Sequence, residues 1–161
     1  MLSRMLGRPR LILVEPTVKH TPVELGPTSD VHDLAQVTVA NQREGGGQRG
    51  TAQAVLPEIE VFDVDGRRRL ARYGGWDTAV ARDVPPAGAQ VLYVAEKLQS
   101  WRDCHFVEGR PSLTTGTRRR GNTFRVRVSL RGDNFSPVRG DFVLINEGPG
   151  KSLSFWQAPK S

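Results

Sequence analysis

Apolar and polar side chains alternate with a period of two along much of this chain, and they do not recur with the period of a helix. No window of a dozen residues places apolar groups at i, i+3, i+4 and i+7 without a Pro or Gly inside it. The clearest alternation is Phe124-Arg-Val126-Arg-Val128-Ser-Leu130-Arg131, which as a strand buries four apolar groups and leaves Arg125, Arg127 and Arg131 in water. The same reading predicts strands over Leu11–Val14, ended by Pro16, and over Asp33–Asn41, Ala52–Val64, Arg67–Tyr73, Thr78–Val84, Ala89–Leu98, Asp141–Asn146 and Leu153–Trp156. The adjacent Val61-Phe62 pair breaks the alternation and predicts a bulge or burial on both faces. Asp65-Gly66 supplies the turn into Arg67–Tyr73. Two segments read as long loops, 42–50 with Gly45-Gly46-Gly47, and the Gly-, Thr- and Arg-rich stretch 108–122.

Seven to nine short strands without helices must close on one another. The expected fold is therefore all-β, an immunoglobulin-like two-sheet antiparallel sandwich, with one domain over 10–158 behind a basic N-terminal arm, 1–9. A length of 161 residues fits one domain able to bury a core without metal or disulfide.

Composition narrows the setting. The single cysteine, Cys104, permits no intrachain disulfide and points to a reducing compartment. The start carries Arg4, Arg8 and Arg10, but its apolar run is only Leu11-Ile12-Leu13-Val14, too short for a signal peptide, and no stretch is long enough for a membrane helix. The expectation is a cytoplasmic protein. The net charge of +6 is unevenly spread: residues 11–65 sum to −6 and residues 66–161 to +9. A basic half points to an anionic partner, although a preference for Arg over Lys also arises from genome composition.

The segments Val37-Thr-Val39-Ala-Asn41, Gly50-Thr51-Ala52 and Ile59-Glu-Val61-Phe62-Asp-Val64-Asp65-Gly66 resemble the front half of bacterial immunoglobulin-like sandwich modules of the cell-adhesion-related, CARDB-like type. Pro85-Pro86-Ala87-Gly88, Phe124–Asn134 and Phe142–Ile145 are similar to the back half, so the resemblance spans roughly residues 10–147. The extended loop reaching Gly50 and the Arg-rich segment before Phe124 depart from that pattern. The resemblance implies a binding or spacer module rather than an enzyme.

Candidate chemistry is sparse. Asp30-Val-His32-Asp33 is the densest metal-like cluster, but His32 and Asp33 face opposite ways on a strand and no second His or Cys pair completes a set. Asp63 and Asp65 share a strand face, as in some calcium sites, yet an Asp-Gly hairpin accounts for them. Cys104-His105 are strand neighbours and face apart, against the contact a nucleophile needs with its base. His20 is isolated. Neither Gly45-Gly46-Gly47 nor Gly150-Lys151-Ser152 has the spacing of a phosphate loop. No catalytic residue, cofactor, metal or small-molecule substrate is expected.

The surface feature that stands out is arginine. Arg67-Arg68-Arg69 follows the hairpin turn, Arg118-Arg119-Arg120 ends the second loop, and Arg125 and Arg127 continue on the solvent face of the next strand. Placed together they make a basic stripe for phosphates; placed apart they are solvating charges that protect sheet edges. Of the bulky aromatics Trp76, Trp101 and Trp156, which core or sandwich-end packing explains, Trp76 between Gly74-Gly75 and a loop is also a candidate exposed anchor for a protein partner. Two functions follow in order: a non-enzymatic adaptor binding an unknown protein through loops and sheet edges, and an Arg-rich module binding nucleic acid or an acidic membrane surface.

Overall fold

The computed structural model describes residues 8–42, 50–76, 81–113 and 117–159. Among them lie eleven strands, more than the seven to nine expected: β1 (Leu11–Leu25), β2 (Thr28–Asn41), β3 (Ala52–Phe62), β4 (Arg68–Tyr73), β5 (Arg82–Val84), β6 (Ala89–Leu98), β7 (Cys104–Phe106), β8 (Thr117–Arg119), β9 (Thr123–Arg131), β10 (Val138–Asn146) and β11 (Leu153–Gln157). They form two antiparallel sheets packed face to face. One has the order β1-β2-β6-β7-β8, and the other the order β11-β10-β9-β3-β4 with β5 paired on β3. Among the described residues no helix is long and apolar enough to cross a membrane. The expected arm (at 1–7), most of the 42–50 loop and the start of the Thr78–Val84 strand lie outside the described residues.

The alternation of β9 does what its sequence predicts. Phe124, Val126, Val128 and Leu130 are buried between the sheets, while Arg125 and Arg131 are exposed and Arg127 is partly so. Opposite them lie Ala35, Val37 and Val39 of β2 with Leu92 and Val94 of β6; Val55, Ile59 and Val61 of β3 and Phe142 and Leu144 of β10 complete the layer. The irregularity expected at Val61-Phe62 is a register shift in the β3–β4 pairing, and Gly66 takes the turn at φ 82°.

Several elements differ from expectation, β7 among them as a strand not foreseen, and three differences are instructive. β1 does not stop at Pro16 but runs on to Leu25. Glu15 takes φ 53° and the register slips between Val14 and Thr17, so Pro16 sits in a bulge on an edge strand, where a missing N–H costs no ladder bond. A two-residue turn, Gly26-Pro27, with Gly26 at φ 68°, then joins β1 to a β2 that begins at Thr28 rather than Asp33. Second, the stretch expected as a loop over 108–122 contains β8, which pairs with β7 through Cys104↔Arg119 and Phe106↔Thr117. Three-residue strands are too short to show a period.

Third, β6 changes phase. Ala95 pairs with Ala35 but Tyr93 pairs with Gln36, so Val94 is an extra residue. Beyond it Glu96 turns outward and Lys97 inward, opposite Asp33. Lys97 is fully buried, and its Nζ donates to Asn146 Oδ1 (3.0 Å), Gly148 O (2.8 Å) and Lys151 O (3.2 Å). Burial holds its ammonium below the ordinary lysine value, against the pull of Asp33. Asp33 accepts from Leu153 N (2.9 Å) and Gln99 Nε2 (3.1 Å). This polar cluster closes one end of the sandwich and fixes the β10–β11 turn.

Leu130 is wholly buried and Arg131, its neighbour, is in water. Leu130→Ala is expected to lower the unfolding free energy by about 2–5 kcal/mol, and Arg131→Ala to change it by less than about 0.5 kcal/mol. Urea titrations of the two variants measure the contrast.

Candidate functional site

Two edge strands bring the arginine clusters together. β4 ends the six-stranded sheet and β8 ends the five-stranded one. They meet along one side of the sandwich, where Arg119 Nη2 donates to Arg69 O at 2.7 Å. Arg118, Arg119 and Arg120, expected at the end of a loop, are thus displaced onto β8 and its exit, and the first two clusters share one seam.

Four of the eight candidate arginines are already answered by a carboxylate. Arg68 pairs with Glu60 (3.3 Å), Arg69 with Asp63 (2.8 Å) and Arg118 with Asp103 (3.0 Å). Arg127 pairs with Asp141 (3.0 Å). Among the described residues Arg67, Arg120 and Arg125 have no acidic partner within ion-pair distance. Asp103 also meets Arg102 (3.4 Å); although burial raises it, these two guanidinium groups hold its carboxyl below the usual range. Asp63, likewise raised by burial, is held low by the Arg67 N–H, the Arg69 side chain and the Asp65 N–H. These bonds (3.0 Å from each N–H) are those of a turn, not of a calcium loop.

Arg125 and Arg127 sit elsewhere, on the outer face of the six-stranded sheet. Register places Arg68, Phe62, Arg125 and Val143 in one row across β4, β3, β9 and β10. Here a shallow hollow of about 520 Å³ has Phe62, Val64, Phe124 and Val143 among its lining and Arg125 and Arg127 at its side. Val64 is 78% exposed. The Arg127 guanidinium stands 5.4 Å from the Phe62 ring centroid, within cation–π range.

Trp76 is not an exposed anchor. It is completely buried, and its Nε1 donates to Val55 O at 3.2 Å. The preceding glycines carry the chain from one sheet to the other: Gly74 N donates to Pro57 O (2.9 Å) and Gly75 O accepts from Tyr93 N (2.8 Å). Gly75 lies at φ 118°, and a Cβ there would meet Leu92 Cδ1 at 2.7 Å. The close crossing drives Trp76 inward, a consequence of tertiary packing that flanking glycines do not reveal. Trp101 is half-buried, its ring 4.8 Å from that of His105, and Trp156 is 41% exposed.

Arg72 was not anticipated. It points inward from β4 and its side chain is 8% exposed, with Glu108 Oε1 at 3.9 Å. Among the described residues its three guanidinium nitrogens are buried without a hydrogen-bond acceptor, as is Nε of Arg119. Burial lowers Arg72 to about 10, with Glu108 opposing the shift, so it remains a cation at neutral pH. The clue lay in the strand period: once Leu70 faces in, so does Arg72.

The remaining candidates resolve into structural roles. His20 Nδ1 lies 2.5 Å from buried Asp33, and His32 Nε2 lies 2.9 Å from buried Glu96 on the opposite face. Glu96 also accepts from Ser112 N and Leu113 N, each at 3.2 Å. Ser100 donates its hydroxyl to Asp30, which with the Val31 and Ser100 N–H groups holds that carboxyl below its ordinary value, against the raising effect of burial. Among the described residues no three His, Cys, Asp or Glu side chains gather as a metal set. Cys104 faces the core and His105 faces out. Gly150-Lys151-Ser152 is a turn, with Gly150 at φ 78° and Lys151 O bound to Lys97.

No family model matches the chain, and no curated protein does. A solved structure described as "X-ray structure of Northeast Structural Genomics Consortium target SoR45" aligns with 12% identity and a TM-score of 0.41, over 82% of this chain and 85% of that one.

Burial pushes the Cys104 thiol up to about 12 from an ordinary 9.0. Between those values the unfolded chain has lost the thiol proton and the folded chain keeps it, so this group's contribution to stability falls as pH rises through the window. Unfolding free energies measured from pH 8 to 11 are expected to decline less steeply in Cys104→Ala than in the parent chain. Below pH 9 the native thiol is expected to resist alkylating reagents until the protein unfolds.

Proposed function

We propose that this chain is a non-enzymatic β-sandwich adaptor, of the immunoglobulin-like type its motifs resemble, that binds a protein partner through the outer face of its six-stranded sheet. The observation that carries the reading is the hollow beside the β3–β4 turn, where Val64 and Phe62 offer apolar surface next to two arginines. Apolar surface rimmed by charge is the usual anatomy of a contact patch. Arg125, without an acidic neighbour of its own, supplies a charge for a partner carboxylate. The face replaces Trp76 as the contact. A lone buried thiol suits a reducing compartment, and we place the module in the cytoplasm.

The second reading, a basic module for nucleic acid or an acidic membrane, draws on the seam between the two arginine clusters. Three of the six arginines in those clusters already hold a carboxylate. Each must give up that partner, or share it, to meet a phosphate. That weighs against it.

The two readings separate in a pull-down with the intact chain, with and without nuclease, across about 0.05–0.5 M salt. The adaptor reading expects recovery of a protein that survives nuclease and salt and that is lost with Val64→Asp, a change on an exposed turn that circular dichroism will show to leave the fold intact. Recovery abolished by nuclease, or unaltered by Val64→Asp, counts against it.

A further inference from the structure

The seam between β4 and β8 holds positive charge that the described residues do not answer. Along β4, Leu70 and Arg72 point between the sheets; along β8, Thr117 and Arg119 do the same from the facing edge. Arg119 is positioned by its Nη2 bond to Arg69 O (2.7 Å), which leaves its buried Nε without an acceptor. Arg72 has a side chain more than nine-tenths buried, and none of its guanidinium nitrogens has an acceptor among the described residues. Glu108, the acidic group beside it, stands at 3.9 Å, beyond hydrogen-bond length, and is 62% exposed. A guanidinium taken out of water needs compensating acceptors, and its planar fork fits the two oxygens of a carboxylate.

We propose that the β4–β8 seam is a binding site for a small carboxylate anion, with Arg72 as its buried receptor, Arg119 Nε as a donor from the opposite strand, and Glu108 as the exposed side chain that yields its place to the ligand. The class follows from the donors. Arg72 offers a planar fork of donors, and the residue already drawn toward it is itself a carboxylate. This site is separate from the hollow at Val64, and its ligand is independent of any protein bound there.

Calorimetry and thermal unfolding of the full chain with succinate, acetate and inorganic phosphate, at matched ionic strength in chloride, test the proposal. Succinate or acetate is expected to bind and raise the midpoint. Glu108→Gln, which removes the competing charge, is expected to tighten binding, and Arg72→Lys, which keeps the charge but loses the fork, to weaken it by roughly tenfold, the equivalent of one charge-assisted hydrogen bond. Arg72→Gln is the stronger test where it folds; Arg72→Lys and Glu108→Gln serve where it does not. Binding unchanged by Arg72→Lys marks an adventitious ion only and overturns the site. Phosphate binding tighter than either carboxylate overturns the ligand class. If neither the parent chain nor Glu108→Gln binds a carboxylate, Glu108 is the permanent counter-ion and the proposal falls.

Discussion

The inward faces of β3, β9 and β10, set against β2 and β6, exclude water from one continuous apolar layer, and where that layer ends decides where everything else sits. Residues such as Val37, Leu92, Ile59 and Val128 lose all contact with solvent there. Burial of this kind is the dominant favourable term in folding, but it is non-directional and says nothing about how a sandwich should be closed. Closure is left to polar groups, and they do it in different ways at different places.

At the end of the sandwich that holds Asn146 and Leu153, the layer gives way to Lys97, Asp33 and a set of carbonyls that satisfy one another. At the side where β4 and β8 meet, the inward positions are Leu70, Arg72, Thr117 and Arg119, and the match is incomplete. On the opposite side β1 packs along β10 and β11, and a bulge at Pro16 interrupts the edge. Short strands, prolines and charges on the outermost strands keep unpaired backbone groups from recruiting another chain. Much of the arginine content follows from this: Arg68, Arg69, Arg118 and Arg119 all lie on edge strands, and most are neutralised by a nearby carboxylate.

The fold was largely legible because strand alternation is a local signal. β9, β3 and the turn at Asp65-Gly66 stand where their residues put them. What escaped were features set by contacts distant in sequence. β8 is defined only by its pairing with β7. The continuation of β1 beyond Pro16 depends on its being an edge. Trp76 is buried because Gly74-Gly75 cross between sheets. For the arginines, sequence marked the clusters but could not show that Glu60, Asp63, Asp103 and Asp141 would meet them, since each of these acids lies several or many residues away. Arg72, with its side chain almost wholly buried, carried no motif; only extending the inward phase from Leu70 points to it.

The extra residue at Val94 gives β6 two halves read in different frames. Before it, even-numbered positions face the core; after it, odd-numbered ones do. Glu96 and Lys97 therefore owe their environments to the bulge that absorbs Val94 rather than to their own chemistry. Paired without the bulge, the same letters would exchange the two addresses, setting a carboxylate against Asp33 and an ammonium beside His32, whereas a related chain that lacks the extra residue keeps both in place. Comparison of this strand with any other is meaningful only when a gap is allowed at that point.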